Sequence, residues 1–226
     1  MENPRRIRSF VLRAGRMTAG QARALRESWP QYGVEFHGER LDLDAVFGRR
    51  APRCVEIGFG IGEVIGHLAR SNPQTDYLGI EVHRPGVGRL LQFSAAENLT
   101  NLRILCHDAV EVLEHGLEDG SIDELLIFFP DPWHKKRHHK RRLVDADFLR
   151  LAARRLRAGG VLRMATDWQD YARQMLELGN ACDALESMSA DRTFVERFEG
   201  RDSTRFERRG ARLGHGVWDL AFRKRT

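Results

Sequence analysis

From Arg53 onward, short apolar runs alternate regularly with amphipathic stretches. Each apolar run is long enough for a buried strand, and each amphipathic stretch suits a helix that lies against a sheet. This alternation predicts an α/β fold with a mostly parallel sheet and helices on both faces. The predicted strands span residues 53–57, 77–81, 103–106, 122–129 and 161–166, and two more at 185–188 and 217–223 make about seven.

Helices are predicted between these strands, at residues 62–70, 85–98, 109–115, 146–157 and 168–180. We expect Gly159 and Gly160 to end the fourth of them, because glycine adopts the left-handed C-terminal conformation easily. Residues 1–50 lack the alternation and mix arginines with small and polar residues. We therefore divide the chain into a basic N-terminal arm with a helix near 18–28 (residues 1–50) and an α/β domain (residues 51–226).

Charge and cysteine content limit the functional classes. Lysine and arginine number 37 against 32 aspartates and glutamates, a net charge of +5, and the excess is clustered. A polyanionic partner is plausible, with a solvated basic surface as the alternative. Cys54, Cys106 and Cys182 lie too far apart for a disulfide framework or a zinc site, so we expect a reducing cytoplasm. No apolar run has the length of a signal peptide or a membrane span, which predicts a soluble intracellular protein.

Three alternating glycines, Gly58, Gly60 and Gly62, follow the first predicted strand and lead into a helix. Without Cβ atoms they would let a ligand lie against the backbone, although such a turn can also be a purely structural bend. Glu81 ends the second strand about 20 residues later, where a carboxylate can accept hydrogen bonds from both hydroxyls of a ribose. The pair predicts a ligand that contains a nucleoside.

Two further carboxylates accompany this turn. Glu56 lies near the end of the first strand, and Asp108 follows the third strand. Asp108 could accept a hydrogen bond from the exocyclic amine of adenine, or it could only cap the helix that begins at Ala109. Because the carboxyl ends of parallel strands meet at one sheet edge, these groups are expected close together.

An acid between two prolines follows the fourth strand. Pro130 and Pro132 fix their own φ and restrict the residue before each, so the backbone around Asp131 should be stiff and its carboxylate aimed. The strand delivers Asp131 to the same edge as the other acids. Asp131 is therefore our catalytic candidate, with a simple Pro-bounded turn as the alternative.

A basic run with interleaved histidines comes next, from His134 to Arg142. Such a concentration of positive charge should bind phosphate, although it could also be a solvated loop. A metal site is the other reading, but the histidines lack acidic or cysteine partners at helical spacing, and the charge would oppose a dication. We expect no metal.

The segment Phe128–Arg142 resembles the hallmark of the bacterial tRNA (guanine-N7-)-methyltransferase family, which belongs to the class I, Rossmann-like methyltransferases that use S-adenosylmethionine. A remote segment, Thr204 to Leu220, is similar to the family's closing motif, with Arg205 in place of the usual lysine. Arginine keeps the charge but changes the geometry of the contact. Arg8 to Val11, Gly15-Arg16 and Thr166-Asp167-Trp168 agree as well, so the resemblance covers nearly the whole chain.

The resemblance implies a role for each matching residue. S-adenosylmethionine would lie on Gly58 and Gly60, with Glu56 at its methionine end, Glu81 on the ribose and Asp108 by the adenine. Asp131 would be catalytic and would also approach the cofactor. The substrate would meet Lys135, Asp167, Thr204, Arg205, Phe206 and Glu207. The RNA backbone would meet Arg137, His138, His139, Lys140, Arg141 and Arg142.

The implied reaction is methylation of N7 of the variable-loop guanosine, position 46, of tRNA. Guanine N7 carries an in-plane lone pair and needs no base, so a carboxylate such as Asp131 would orient the purine or stabilise its growing positive charge. The alternatives are a methyltransferase for small molecules or proteins, an inactive nucleic-acid-binding module and an NAD-dependent dehydrogenase. The sequence leaves monomer or dimer open and indicates no obligate protein partner.

Overall fold

The computed structural model of the protein describes residues 8–11, 15–201 and 216–226. The described chain forms one sheet of seven strands in the order β3-β2-β1-β4-β5-β7-β6. The strands are β1 (Arg53–Ile57), β2 (Asp76–Ile80), β3 (Leu102–Leu105), β4 (Ile122–Phe128), β5 (Leu156–Thr166), β6 (Leu185–Ser187) and β7 (Trp218–Lys224). The helices are α1 (Ala19–Glu27), α2 (Trp29–Tyr32), α3 (Leu43–Phe47), α4 (Glu63–Ser71), α5 (Arg84–Ala96), α6 (Ala109–Glu111), α7 (Ala146–Arg155) and α8 (Gln169–Ala181).

The first five strands run parallel, and β7 alone runs in the opposite direction. β1 pairs in parallel with β2 and with β4, while β7 lies antiparallel between β5 and β6. The order therefore reverses at β1, where the chain moves outward to β3 and then crosses to β4. In open α/β sheets, ligands bind in the crevice at this switch point, beyond the carboxyl ends of the strands.

Helices cover both faces of the sheet, as the α/β prediction requires. One core contains Val55, Ile57 and Leu125 from the strands and Phe148 and Tyr171 from α7 and α8. The other core gathers strand residues of the opposite face with apolar residues of α4 and α5. The fold class is thus confirmed, and all seven predicted strands exist. Six have both ends within one residue of those expected, whereas β5 begins five residues earlier, at Leu156.

The prediction that Gly159 and Gly160 stop a helix is wrong. α7 ends at Arg155, and both glycines lie within the long strand β5. Gly159 has a φ of +73°, and the pairing of β4 with β5 shifts register between Ile122 and Glu124. The glycines therefore allow the backbone to adopt the irregular conformation at this register shift, as glycine often does inside a strand. The predicted helix at 109–115 is present, but it is α-helical only over Ala109–Glu111 and continues as a π-helix over Val112–Gly116.

The described part of residues 1–50 packs closely on the rest of the chain. Thr18 caps α1 in a capping box with Gln21, as the predicted helix requires. Tyr32 is buried and donates a hydrogen bond to the carbonyl oxygen of Ser94 at 3.0 Å. Gly33 bridges Ile104, so this segment covers the outer strand β3. The division at residue 50 stays a prediction, and α3 was not predicted.

We expect Tyr32 to contribute to the stability of the whole protein. Tyr32→Phe loses one buried hydrogen bond and should lower the free energy of unfolding by about 1 kcal/mol. Tyr32→Ala also leaves a cavity and should lower it by about 3–5 kcal/mol. Urea unfolding followed by circular dichroism measures both. Unchanged midpoints would show that residues 15–50 unfold independently of the sheet.

Candidate active site

Four acidic residues converge on the carboxyl edge of the sheet around its switch point. Glu56 is in β1, Glu81 follows β2 directly, and Asp108 and Asp131 each come three residues after β3 and β4. The four strands are neighbours in the sheet, in the order β3-β2-β1-β4. The predicted grouping of the acids at one edge therefore agrees with the topology.

The glycine-rich turn after β1 combines two different kinds of glycine. Gly58, Gly60 and Gly62 all have positive φ, of +69°, +59° and +79°. A Cβ added to Gly58 or Gly60 would meet nothing within 4 Å, whereas one on Gly62 would lie 2.6 Å from the Leu90 side chain. Gly62 is therefore needed for packing against α5. Gly58 and Gly60 present bare backbone to open space, as a ligand cradle requires.

The Glu81 carboxylate ties the glycine-rich turn to the end of β2. It accepts hydrogen bonds from the backbone N–H groups of Gly60 at 2.9 Å, Val82 at 2.7 Å and His83 at 2.9 Å. These bonds fix the turn and the carboxylate relative to each other. A carboxylate offers about four lone-pair positions, so acceptor capacity remains for an external hydroxyl.

Glu56 is a buried acid with an unsatisfied oxygen. The residue is 3% exposed, and Oε2 has no hydrogen-bond partner among the described residues. Burial raises the pKa of Glu56 to about 8, and the negative charge of Glu81 adds to this increase, while a hydrogen bond from the backbone N–H of Ile65 opposes it. An orphaned buried carboxylate oxygen is costly and calls for a cationic or hydrogen-bonding ligand.

Asp108 performs the capping role that was one of its two predicted functions. Its Oδ1 accepts a hydrogen bond from the backbone N–H of Val110 at 3.0 Å, at the start of α6. The residue is half-buried. The cap uses one acceptor position of the carboxylate and leaves others for an adenine amine, so the two roles are compatible.

The segment that carries Asp131 is held in an unusual backbone conformation. Phe129 and Trp133 have φ values of +53° and +47°, a region that bulky residues rarely adopt. The N–H of Phe129 donates to the carbonyl of Ala165 at 2.8 Å, and the indole N–H of Trp133 donates to the carbonyl of Ser9 at 3.0 Å. Asp131 itself is exposed at the tip. Such strain in the backbone concentrates at functional sites.

The basic run forms a short 3₁₀ helix, Lys136–Arg141, beside this segment. Lys135, Lys136, Arg137 and Lys140 are exposed. The guanidinium of Arg141 lies 5.0 Å from the centre of the Trp133 ring. Partial desolvation and the surrounding cations lower the pKa of His138.

Arg142 departs from the predicted RNA surface. Its side chain is 1% exposed, and it forms an ion pair with Asp170 of α8 at 2.7 Å. A buried guanidinium whose donors are used inside the protein cannot also bind phosphate at the surface. Arg142 is therefore removed from the set of predicted RNA contacts.

The remaining predicted substrate residues are only partly described. Asp167 is half-buried in the turn between β5 and α8, next to Trp168, whose ring lies 4.1 Å from that of His134. Thr204, Arg205, Phe206 and Glu207 lie outside the described residues. Just before them, Arg201 is buried and donates two hydrogen bonds to Asp219, at 2.8 and 2.7 Å, with its guanidinium over the Phe128 and Phe129 rings. Sequence reasoning missed Arg201, because one arginine in a charged stretch gives no signal.

Two kinds of feature are absent from the described residues. No group of three or more histidine, cysteine or acidic side chains there could hold a metal ion. No helix in this part of the chain is long and apolar enough to cross a membrane.

Comparison with known proteins identifies the family. The family described as "Putative methyltransferase" matches residues 50–220. The tRNA (guanine-N(7)-)-methyltransferase of Serratia proteamaculans is 54% identical over 98% of this chain and 92% of its own length. The protein of the same name in Ectopseudomonas mendocina is 54% identical over 97% of this chain and 92% of its own.

A solved structure agrees at the level of the fold. The 16S rRNA methyltransferase KamB aligns with a TM-score of 0.60 and 16% identity, over 83% of this chain and 95% of its own. At that identity the likeness shows the class I methyltransferase fold alone. The sequence comparisons are far closer and span nearly the full length. The chain therefore belongs to the bacterial tRNA (guanine-N(7)-)-methyltransferase family.

Proposed function

We propose that this protein transfers the methyl group of S-adenosylmethionine to N7 of the variable-loop guanosine, position 46, of tRNA. The observation that carries the proposal is the position of Asp131, on a rigid segment between an acid-lined glycine turn and an exposed basic helix. The names of the relatives at 54% identity support the same activity. Such a substrate agrees with the expected location in the cytoplasm.

The residues present fit S-adenosylmethionine. Gly58 and Gly60 leave the backbone open to a ligand, and the orphaned Oε2 of Glu56 suits the α-ammonium group of the methionine part. Glu81 would hold the ribose hydroxyls and Asp108 the adenine amine. When bound, the cofactor supplies an electrophilic methyl group on a sulfonium sulfur.

Asp131 would act on the guanine. Methylation at N7 leaves a positive charge on the purine, so a fixed carboxylate nearby stabilises the transition state more than the neutral base. The carboxylate can also accept hydrogen bonds from the N1 and amino groups of guanine and so align N7 with the methyl group. Because Pro130 and Pro132 restrict the backbone in advance, no conformational entropy has to be lost to place this acceptor during the reaction.

Further contacts would seat the nucleotide and the RNA. Lys135 and Asp167 lie on the two loops that follow β4 and β5, and by resemblance Thr204 to Glu207 join them on the substrate. The surface proposed for the RNA backbone consists of Arg137, His138, His139, Lys140 and Arg141. Phosphate contacts position the RNA, so specificity for one guanosine should come from tRNA shape and from an exposed base.

Replacement of Asp131 should abolish most of the turnover. We expect Asp131→Asn and Asp131→Ala to lower kcat by about 10²–10³, because a preorganised group facing developing charge is lost. Transfer of labelled methyl from S-adenosylmethionine to unmodified tRNA, followed by nucleoside analysis, measures the product 7-methylguanosine. Label in another nucleoside, or a variant within threefold of wild type, would contradict the proposal.

The exposed cations should act through phosphate. Arg137→Ala and Lys140→Ala should each reduce by about one the slope of log affinity for tRNA against log salt concentration. Arg150→Ala removes the same charge from α7, where the exposed Arg150 pairs with Asp147 outside the basic run, and should leave the slope unchanged. Filter binding over a range of salt concentrations measures the slopes. Equal slopes in all three variants would rule out this surface.

Binding of the cofactor should release a proton from Glu56. The raised pKa of about 8 keeps this carboxyl group largely protonated at pH 7, and a bound α-ammonium would favour its charged form. Affinity should therefore increase as pH rises from 6 to 8. Calorimetric titration with S-adenosylhomocysteine at pH 7, in two buffers of different ionisation enthalpy, measures the number of protons released per ligand bound.

The control for this titration is Glu56→Gln, which does not titrate but keeps the shape of the side chain. It should release fewer protons than wild type and bind about 10–100-fold more weakly, as expected for loss of a charged hydrogen bond. Any proton lost by the ligand itself is common to both proteins and cancels. Identical proton release in the two would exclude Glu56 as the source.

A further inference from the structure

Arg142 connects the active-site segment to α8 from inside the protein. Its Nε donates a hydrogen bond to the carbonyl oxygen of Pro132 at 2.9 Å, its Nη1 to Oε1 of Gln174 at 2.5 Å, and its Nη2 to Oδ2 of Asp170 at 2.7 Å. The guanidinium lies over the Tyr171 ring, 4.7 Å from its centre. Nη2 also lies 3.1 Å from Nε2 of His139. Four acceptors and an aromatic face thus surround one planar group, an arrangement that lysine cannot reproduce.

The first two turns of α8 also hold the chain that follows Arg142. The hydroxyl oxygen of Tyr171 accepts a hydrogen bond from the N–H of Val144 at 2.9 Å, and the side-chain amide of Gln174 donates to the carbonyl of Val144 at 3.2 Å. The hydrogen bond from Arg142 lowers the pKa of Asp170, so the partner carboxylate stays charged. α8 is therefore a fixed base for both Arg142 and its neighbours.

The acceptor at the other end of this connection adjoins the catalytic candidate. The Pro132 carbonyl belongs to the residue directly after Asp131, and Pro132 restricts the backbone of Asp131 itself. On the other side, the N–H of Phe129 is bonded to Ala165 at the end of β5. Hydrogen bonds thus hold the backbone on both sides of Asp131, although the side chain of Asp131 is exposed.

We propose that Arg142 is a positioning residue for the methyl transfer. By binding the Pro132 carbonyl and the start of α8 together, it holds Asp131 at a set distance from Asp167, which lies two residues before α8. The inference rests on the function proposed above and adds to it a residue that touches neither cofactor nor substrate. A displacement of about 1 Å in a reacting group can cost about 100-fold in rate, so loss of this anchor should appear in turnover.

The first test is Arg142→Lys, which keeps the charge but not the three planar donors. We expect kcat to fall at least tenfold, with affinities for unmodified tRNA and for S-adenosylhomocysteine within threefold of wild type. Arg150→Lys makes the same change at an exposed arginine of α7 and should retain full turnover. All proteins are assayed well below their melting temperatures. A kcat within twofold of wild type, or a loss confined to tRNA affinity, would overturn the inference.

A second test asks whether Arg142 acts through Asp131. In an Asp131→Ala background, Arg142→Lys should change the residual kcat less than twofold, because the carboxylate to be positioned is gone. A further tenfold loss in that background would assign Arg142 a general structural role and reject the proposal. Labelled methyl transfer is sensitive enough for the slow double variant.

Two controls keep the outcome interpretable. If Arg142→Lys does not fold, Asp170→Asn weakens the same anchor at a side chain that is 65% exposed, and should lower kcat severalfold with unchanged affinities. An unchanged kcat in that variant would count against the inference. Wild-type protein that forms no 7-methylguanosine in tRNA would instead defeat the proposed function, which separates the two failures.

Discussion

The reversal of strand order at β1 determines where every functional group of this protein can lie. Because β1 has β2 on one side and β4 on the other, the loops after these strands open away from each other and leave a crevice. The glycine-rich turn lines one side of that crevice and the Asp131 segment lines the other. Burial of the sheet on both faces makes this geometry rigid, so loops of very different chemistry can share one edge.

Within that frame, ionisable groups buried inside the protein organise the candidate site. Glu56, Arg142 and the Arg201–Asp219 pair are all buried or nearly so. Burial of charge costs stability unless partners compensate, so these groups are weak contributors to folding and strong determinants of position. Arg142 and Arg201 have such partners on either side of the Asp131 segment. Glu56 has an oxygen without one, which marks the place where a ligand completes the structure.

The sequence predicts the sheet well because buried parallel strands are apolar runs, and such runs depend little on distant residues. β1 was predicted to the residue, and β2, β3 and β4 to within one. Local sequence signals that are compatible with two different structures predict the fold less reliably. Gly159 and Gly160 can end a helix or permit a bulge, and only the pairing of β4 with β5 decides between them. The helix α3 has five residues, too few to show a period.

The same limit explains the error at Arg142. A run of nine basic residues and histidines predicts a surface, and for most of its members the chain is exposed. Two of the acceptors that bind the buried Arg142 side chain, on Gln174 and Asp170, lie about 30 residues later on another helix. The local sequence pattern around Arg142 does not predict them. An exposed carboxylate such as that of Asp131 cannot be immobilised by burial of its own side chain. Its position must come from the backbone, and Arg142, the last arginine of the basic run, is turned inward to hold the carbonyl of Pro132, the residue after Asp131.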